Sequence, residues 1–331
     1  MALEQTFNDT RYAGQAEGHY ESFFIRANHP ARPLAFWIRY TIFSPKDAAE
    51  KAVGELWAIF FDGERNRHVA AKSERPLGDC AFSAHGLSVR IGDAALVDGH
   101  ATGALAQGAA RLSWDLRFGG GGRPLFLLPR DFYEKRFPAA KSLVSQPLAR
   151  FDGSIFVDGE EIAIADWTGS QNHNWGRRHT DLYAWGQVAG FDSHPDSFLE
   201  IATARLKIGP VWTPPITPLV LRHGGREYAL TRLSQAVRAR GDFRFFEWDF
   251  ESRDGEVEIV GRITAPREAF VGLAYANPPG GTKHCLNSKI ASCILTLRNR
   301  ADGRVERLEA TNRAAFEILT DARDHGIAIV A

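Results

Sequence analysis

Leu34-Ala-Phe-Trp-Ile-Arg-Tyr-Thr-Ile-Phe43 alternates with a period of two: Leu34, Phe36, Ile38, Tyr40 and Ile42 share one face, and Ala35, Trp37, Arg39 and Thr41 the other. Successive side chains of an extended chain point to opposite sides, so this stretch reads as a strand with one face on a core. The rhythm continues outward through residues 54–61, 110–118, 153–157, 161–167, 182–188 and 198–206. It returns in residues 243–251, 257–263, 290–297 and 305–310.

The turns agree with this pattern. Asp-Gly occurs at Asp62-Gly63, Asp98-Gly99, Asp152-Gly153, Asp158-Gly159, Asp254-Gly255 and Asp302-Gly303. The pair tolerates the positive φ that tight hairpins demand, so each is a candidate strand reversal. The plainest hairpin joins residues 154–157 to 160–165. Helical signals are sparse: one short turn after Ser44-Pro45 and another over residues 132–137, stopped by Pro138. Parallel strands need long crossovers, usually helical, so an all-β, antiparallel architecture is expected.

A chain of 331 residues exceeds what one core usually serves, which predicts two domains. The rhythm breaks at the glycine run 119–122 and the proline-bearing stretches 124–129 and 138–147. The expected division is residues 1–158 and 159–331.

With 40 basic and 40 acidic residues the chain lacks the cationic excess that a phosphate-tracking groove needs, which argues against nucleic acid. Three cysteines, Cys80, Cys285 and Cys293, are too few for a disulfide scaffold and read as reduced thiols of a cytoplasmic protein. No apolar run approaches the ~20 residues of a membrane span, and the opening residues show no secretory leader. A peripheral membrane contact is compatible with this pattern; oligomeric state is not encoded in it.

Asn172-His-Asn-Trp-Gly-Arg-Arg-His-Thr-Asp-Leu-Tyr-Ala-Trp-Gly-Gln187 concentrates unusual side chains. His173 and Trp175 share one strand face, as do Asp181, Tyr183, Trp185 and Gln187 on the next. A turn around residues 176–180 would lay the two faces side by side. A packed barrel core with internally satisfied polar tips accounts for the same residues, although so many polar tips would each need a partner. His173, His179 and Asp181 match no zinc spacing, so no metal is expected. His19 and Glu21 share strand parity, facing either a barrel interior or an exposed hairpin end.

Gln171-Asn-His-Asn-Trp-Gly176 followed by Tyr183-Ala-Trp185, with support from Trp114-Asp-Leu-Arg-Phe118 and residues 153–159, resembles the lipocalin-like superfamily of carotenoid 1,2-hydratase (hydroxyneurosporene synthase). Tocopherol cyclase and fungal decalin-forming Diels–Alderases are more distant members. The resemblance implies two tandem lipocalin-like antiparallel β-barrels. It also ties His173 and Trp175 to activity, and Phe198-Leu199-Glu200 to a downstream aromatic-x-acid pair in which Phe198 replaces a tyrosine.

Alkene hydration or cyclisation begins by protonating carbon, which takes an acid kept neutral by burial and a π-rich wall for the cation. His173 is the expected base, and Asp181, Glu200 and Glu21 are the candidate acids. The expected function is a cofactor-independent hydratase or cyclase acting on a hydrophobic, isoprenoid-like substrate. Its expected catalytic groups are His173, Asp181, Tyr183 and Glu200, with Asn172, Trp175, Trp185, Gln187, Phe198 and Glu21 against the substrate. The alternative is a carrier that binds a hydrophobic small molecule without chemistry.

Overall fold

The computed structural model describes residues 6–331; residues 1–5, on which the reading for a leader partly rests, lie outside the described residues. Strand covers 63% of the chain and helix 6%, so the all-β expectation holds.

The first sheet holds β1 (His19–Asn28), β2 (Leu34–Ser44), β3 (Val53–Asp62), β4 (Arg67–Pro76), β5 (Cys80–Phe82) and β6 (Ser88–Ile91). It continues with β7 (Ala94–Val97), β8 (His100–Gln107), β9 (Ala110–Gly119), β10 (Leu125–Phe126), β11 (Ala140–Val157) and β12 (Glu160–Gly176). The second begins with β13 (Leu182–Phe191) and β14 (His194–Arg205); β15 (Lys207–Ile208) and β16 (Val211–Trp212) form a small separate ribbon. It resumes with β17 (Leu219–His223), β18 (Arg226–Leu230), the helix α1 (Leu233–Arg238), β19 (Arg240–Arg244) and β20 (Glu247–Arg253). It closes with β21 (Val257–Thr264), β22 (Val271–Ala276), β23 (Thr282–Asn299) and β24 (Val305–Thr320).

The strands of both sheets pair antiparallel, giving two barrel-like sheets in tandem. The first runs β4-β3-β2-β1-β12-β11-β9-β8-β7-β6-β5 and the second β18-β17-β14-β13-β24-β23-β21-β20-β19. The chain passes from one to the other between Gly176 and Leu182. The expected boundary at residues 158/159 falls instead in the β11–β12 hairpin, inside the first sheet. The reason is that β12 pairs β11 on one edge and β1 on the other, so it cannot leave the sheet without breaking both ladders.

Five of the six Asp-Gly pairs lie between consecutive strands. Asp152-Gly153 does not: it sits within β11 at a register shift, with Gly153 at φ +133°. A Cβ there would come within 2.1 Å of the Asp115 carbonyl oxygen, so the glycine marks a bulge where two backbones meet closely. The run 243–251 is also not one strand, because the chain reverses between β19 and β20. The helical piece expected over residues 132–137 is a single 3-10 turn at Arg130–Phe132, and that after Ser44 a 3-10 turn at Ala49–Lys51.

Strand β2 departs from expectation in having both faces buried. Phe36, Ile38 and Tyr40 pack inside the first barrel with Phe23 and Ile25 of β1. On the reverse face, Trp37 joins Phe24, Trp57, Ile59 and Phe61 in a core shared with Trp248, Phe316 and Leu319 of the second barrel. Burying each phenylalanine contributes about 1.5–3 kcal/mol, so this second face holds the barrels together. A face that alternation marks as the outside of one barrel is therefore the inside of the two-barrel molecule. Among the described residues, no helix is long and apolar enough to cross a membrane.

Candidate active site

A cavity of about 210 Å³ opens between the barrels. That is just below the roughly 300–1,000 Å³ usual for small-molecule sites, so it suits a small ligand or one end of a longer one. Its floor comes from the outward face of β1 and β2 (Phe24, Trp37, Arg39) and from β13 and β14 (Tyr183, Trp185, Glu200). The loop between β10 and β11 closes one side, and the exposed Phe137 and Leu233 mark its rim. Register explains the hollow: Ala204 lies opposite Tyr183 and Ala202 opposite Trp185, leaving space above the two rings.

Glu200 sets a buried carboxyl in the cavity wall. Only 2% exposed, it accepts from Trp185 Nε1 at 2.8 Å and from Gln187 Nε2 at 2.8 Å. Burial pushes its carboxyl up to about 7, against the opposing pull of these hydrogen bonds and of the Arg26 charge. Such a group carries a proton at neutral pH for an appreciable part of the time. Each oxygen accepts one bond and keeps a second position for the proton.

Gln187 does not border the cavity but fixes Glu200. Its Oε1 accepts from Arg26 Nε and Ser170 Oγ, both at 2.7 Å, and its Nε2 donates to Asn172 Oδ1 at 2.8 Å as well as to Glu200. The amide can adopt only one orientation. Arg26, fully buried, is lowered to about 10 by desolvation, with Glu200 pulling the other way.

Behind Trp185 lies a second buried charge pair. Lys289 Nζ donates to Glu317 Oε1 at 2.7 Å, and Asn287 Nδ2 reaches the same oxygen at 3.2 Å. The ammonium sits 5.4 Å from the Trp185 ring centroid and 5.6 Å from that of Trp37. Burial lowers the Lys289 pKa, and Glu317 opposes that shift.

His173 stands apart from this chemistry. Its ring stacks on Phe23 at 4.2 Å, on the first-barrel side of β12. Nδ1 meets the Phe7 carbonyl at 2.7 Å and Nε2 meets Glu21 Oε1 at 2.8 Å. A carbonyl only accepts, so Nδ1 carries the hydrogen and no ring nitrogen remains for a base. The expectation that His173 activates water is corrected accordingly, although the residue touches the cavity wall.

Glu21 is likewise no proton donor. Fully buried, it accepts from the Arg11 and Tyr12 amides (2.8–2.9 Å), from His19 at 3.0 Å and from His173. Burial pushes its pKa up, but the bonds and charges of His173 and His19 outweigh that and hold it down at about 2. The expected choice between barrel interior and exposed end resolves to burial. Glu21 straps the N-terminal segment over this end of the first barrel.

Of the expected site residues, Asn172, His173, Tyr183, Trp185 and Glu200 border the cavity. Trp175 faces the other way, against Tyr133 and Leu143. Asp181 lies outside, held by Arg178 at 2.6 Å and by the Lys207 amide at 2.9 Å. Phe198 packs in a small separate core with Leu127 and Val220. The common face expected for both strands splits because β12 and β13 belong to different sheets. In this part of β12, Ser170 and Asn172 meet Gln187 of β13, and the odd-numbered His173 and Trp175 point away from it.

Sequence reasoning missed Arg26, Arg39, Lys289 and Glu317. A lone charge inside a long apolar strand, as in Ser288-Lys-Ile-Ala291 and Ala315-Phe-Glu-Ile318, was the available signal. It also missed His194, His223 and Glu306, which offer ligand atoms within 4.8 Å of one another, the one such group of three among the described residues. None of the three borders the cavity.

No protein-family model matches the chain. Two uncharacterized proteins of Mycobacterium tuberculosis, from strains CDC 1551 / Oshkosh and ATCC 25618 / H37Rv, are each 26% identical over 295 residues, covering 88% of this chain and 84% of theirs. Among solved structures, an AttH-type protein from Nitrosomonas europaea superposes with a TM-score of 0.56 at 15% identity, over 92% of this chain and 91% of that one. Kievitone hydratase from Nectria haematococca gives 0.55 at 11% identity, over 94% and 93%. CghA with Sch210972 gives 0.52 at 12% identity, over 93% and 90%. At these identities the likeness is one of fold: a lipocalin-like pair of barrels spanning nearly the whole chain.

Proposed function

We propose that the protein is a cofactor-independent hydratase or cyclase that protonates an alkene of a hydrophobic, isoprenoid-like substrate in the cavity between its barrels. The observation that carries this reading is Glu200, a buried carboxyl with its pKa at about 7 in the wall of an aromatic cavity. In hydration, Glu200 gives its proton to one alkene carbon, leaving a cation at the next. Water adds through oxygen and its surplus proton returns to the Glu200 carboxylate, restoring the acid. In cyclisation, an internal double bond closes on the cation and a C–H proton returns instead.

Trp185 and Tyr183 supply π faces to the cation, and Gln187 holds the carboxyl in register. His179 borders the cavity as a neutral imidazole, its pKa lowered to about 3 by burial and by Arg39. Its Nε2–H donates to the Ala276 carbonyl at 3.2 Å, so Nδ1 is the unprotonated nitrogen. It is better suited than His173 to accept a hydrogen bond from the incoming water. Kievitone hydratase, one of the proteins sharing this fold, is by its name a hydratase, which supports the reaction class. A carrier calls for an apolar interior with polar groups at the mouth; here charges lie inside and Phe137 and Leu233 lie at the rim.

The test is incubation of the purified protein with a terpene and carotenoid panel in deuterium oxide, followed by mass spectrometry. Wild type is expected to yield hydrated or cyclised products carrying one solvent deuterium on carbon, and Glu200→Gln to lose at least ~100-fold. Tight binding of panel members without turnover would favour the carrier.

A further inference from the structure

We propose that the cavity takes an oxygenated substrate, with an anionic carboxylate, phenolate or enolate head held by Arg39 and an apolar body extending toward Glu200. This inference rests on the proposed alkene-protonating role of the same cavity and narrows its substrate class.

Arg39 is 5% exposed and borders the cavity. Its Nε donates to Ser22 Oγ at 2.8 Å, and its guanidinium lies 4.5 Å from the Tyr275 ring centroid and 5.9 Å from that of Trp37. Among the described residues no carboxylate comes within 4.0 Å of it, whereas Lys289, buried behind the cavity wall, has Glu317 at 2.7 Å, and Lys141, the other buried cation of the wall, donates to the Pro138 carbonyl at 2.9 Å. The two terminal nitrogens of Arg39 therefore stand without an ion-pair partner in a largely desolvated wall. Burial opposes the charge, and Tyr275 with the Glu55 and Glu317 carboxylates favours it from farther away, but the terminal nitrogens lack a direct acceptor, an arrangement that fits a ligand oxygen pair bound through two parallel N–H bonds.

A second donor points the same way. Trp37, two residues before Arg39 on β2 and on the same strand face, has a buried Nε1–H with no hydrogen-bond partner. The Tyr20 ring, stacked on His179 at 4.1 Å, adds a flat apolar side to this end of the cavity. A pure hydrocarbon would leave the terminal N–H donors of Arg39 and the Trp37 donor without an acceptor; an oxygenated head answers both.

The probes are geranic acid and the hydrocarbon β-myrcene, titrated into the full chain at neutral pH and followed by tryptophan fluorescence. Wild type is expected to bind geranic acid at least tenfold more tightly than myrcene. Arg39→Met is expected to lose at least tenfold for the acid with myrcene unchanged, and Arg39→Lys to keep most of the preference. Equal wild-type affinities, an intact preference in Arg39→Met, or binding of neither probe would overturn the proposal. Should Arg39→Met fail to fold, the wild-type ratio and Arg39→Lys decide it. Glu200→Gln should keep the preference for the acid. Selectivity without turnover of any panel substrate would therefore sink the enzymatic reading alone, and turnover without selectivity would sink the Arg39 anchor alone.

Discussion

The indole Nε1–H of Trp185 donates to Oε1 of Glu200 at 2.8 Å from the neighbouring strand, and this contact sets the direction of the buried carboxyl. It also moderates its acidity. Burial favours the protonated form, and the indole hydrogen bond favours the ionised one. The balance leaves the group near 7 rather than far above it.

Trp185→Phe removes that donor and keeps an aromatic wall. The Glu200 pKa is then expected to rise above about 7, moving the alkaline limb of the pH–rate profile to higher pH. A profile unchanged in position would show that the indole bond does not tune the acid.

Stability should carry the signature of the same group. The folded pKa of Glu200, about 7, lies above the ordinary 4.5, so the native state binds the proton more tightly than the unfolded chain. Its contribution is present below 4.5 and is lost as pH rises through about 7. Glu200→Gln cannot ionise. Between about pH 5 and pH 8 it should lose less stability than wild type, as measured by urea unfolding at each pH.

Glu21 shows the opposite sign. Its folded pKa of about 2 lies below 4.5, so its contribution is present above 4.5 and is lost as pH falls toward 2. Glu21→Gln leaves His173 and His19 without their carboxylate, and a loss of about 3–5 kcal/mol is expected. Only one acceptor oxygen then remains for the Arg11 and Tyr12 amides, so limited proteolysis should cut the N-terminal segment sooner than in wild type.

Lys289→Met strands Glu317 in a buried site and should cost about 3–5 kcal/mol, whereas the double change Lys289→Met with Glu317→Leu should recover most of it. Chemical denaturation of the three proteins measures the difference. A double variant as unstable as the single one would mean that the pair contributes net stability.

The resemblance around Asn172–Gln187 located the region of the cavity, and Tyr183, Trp185 and Glu200 were within reach because they share parity or register on β13 and β14. The side chains of His173 and Trp175 lie elsewhere than that reading places them. Nothing in an alternating strand says which of its faces a second sheet will cover, and both lie on the face of β12 that turns away. Arg39 was visible on the outward face of β2 from the start, but that face looks like solvent until the second barrel packs on it.

The sequence by itself determined the strands, their two-sidedness and most of their reversals. These follow from local rules: a period of two and turn residues that accept positive φ. Only the tertiary structure decided that β12 closes the first sheet against β1, that Glu21 meets His173 from 152 positions away, and that Glu200 is buried deeply enough for its pKa to rise to about 7. Those depend on long-range pairing and on desolvation, which arise from what lies across a face rather than from the order of residues along it.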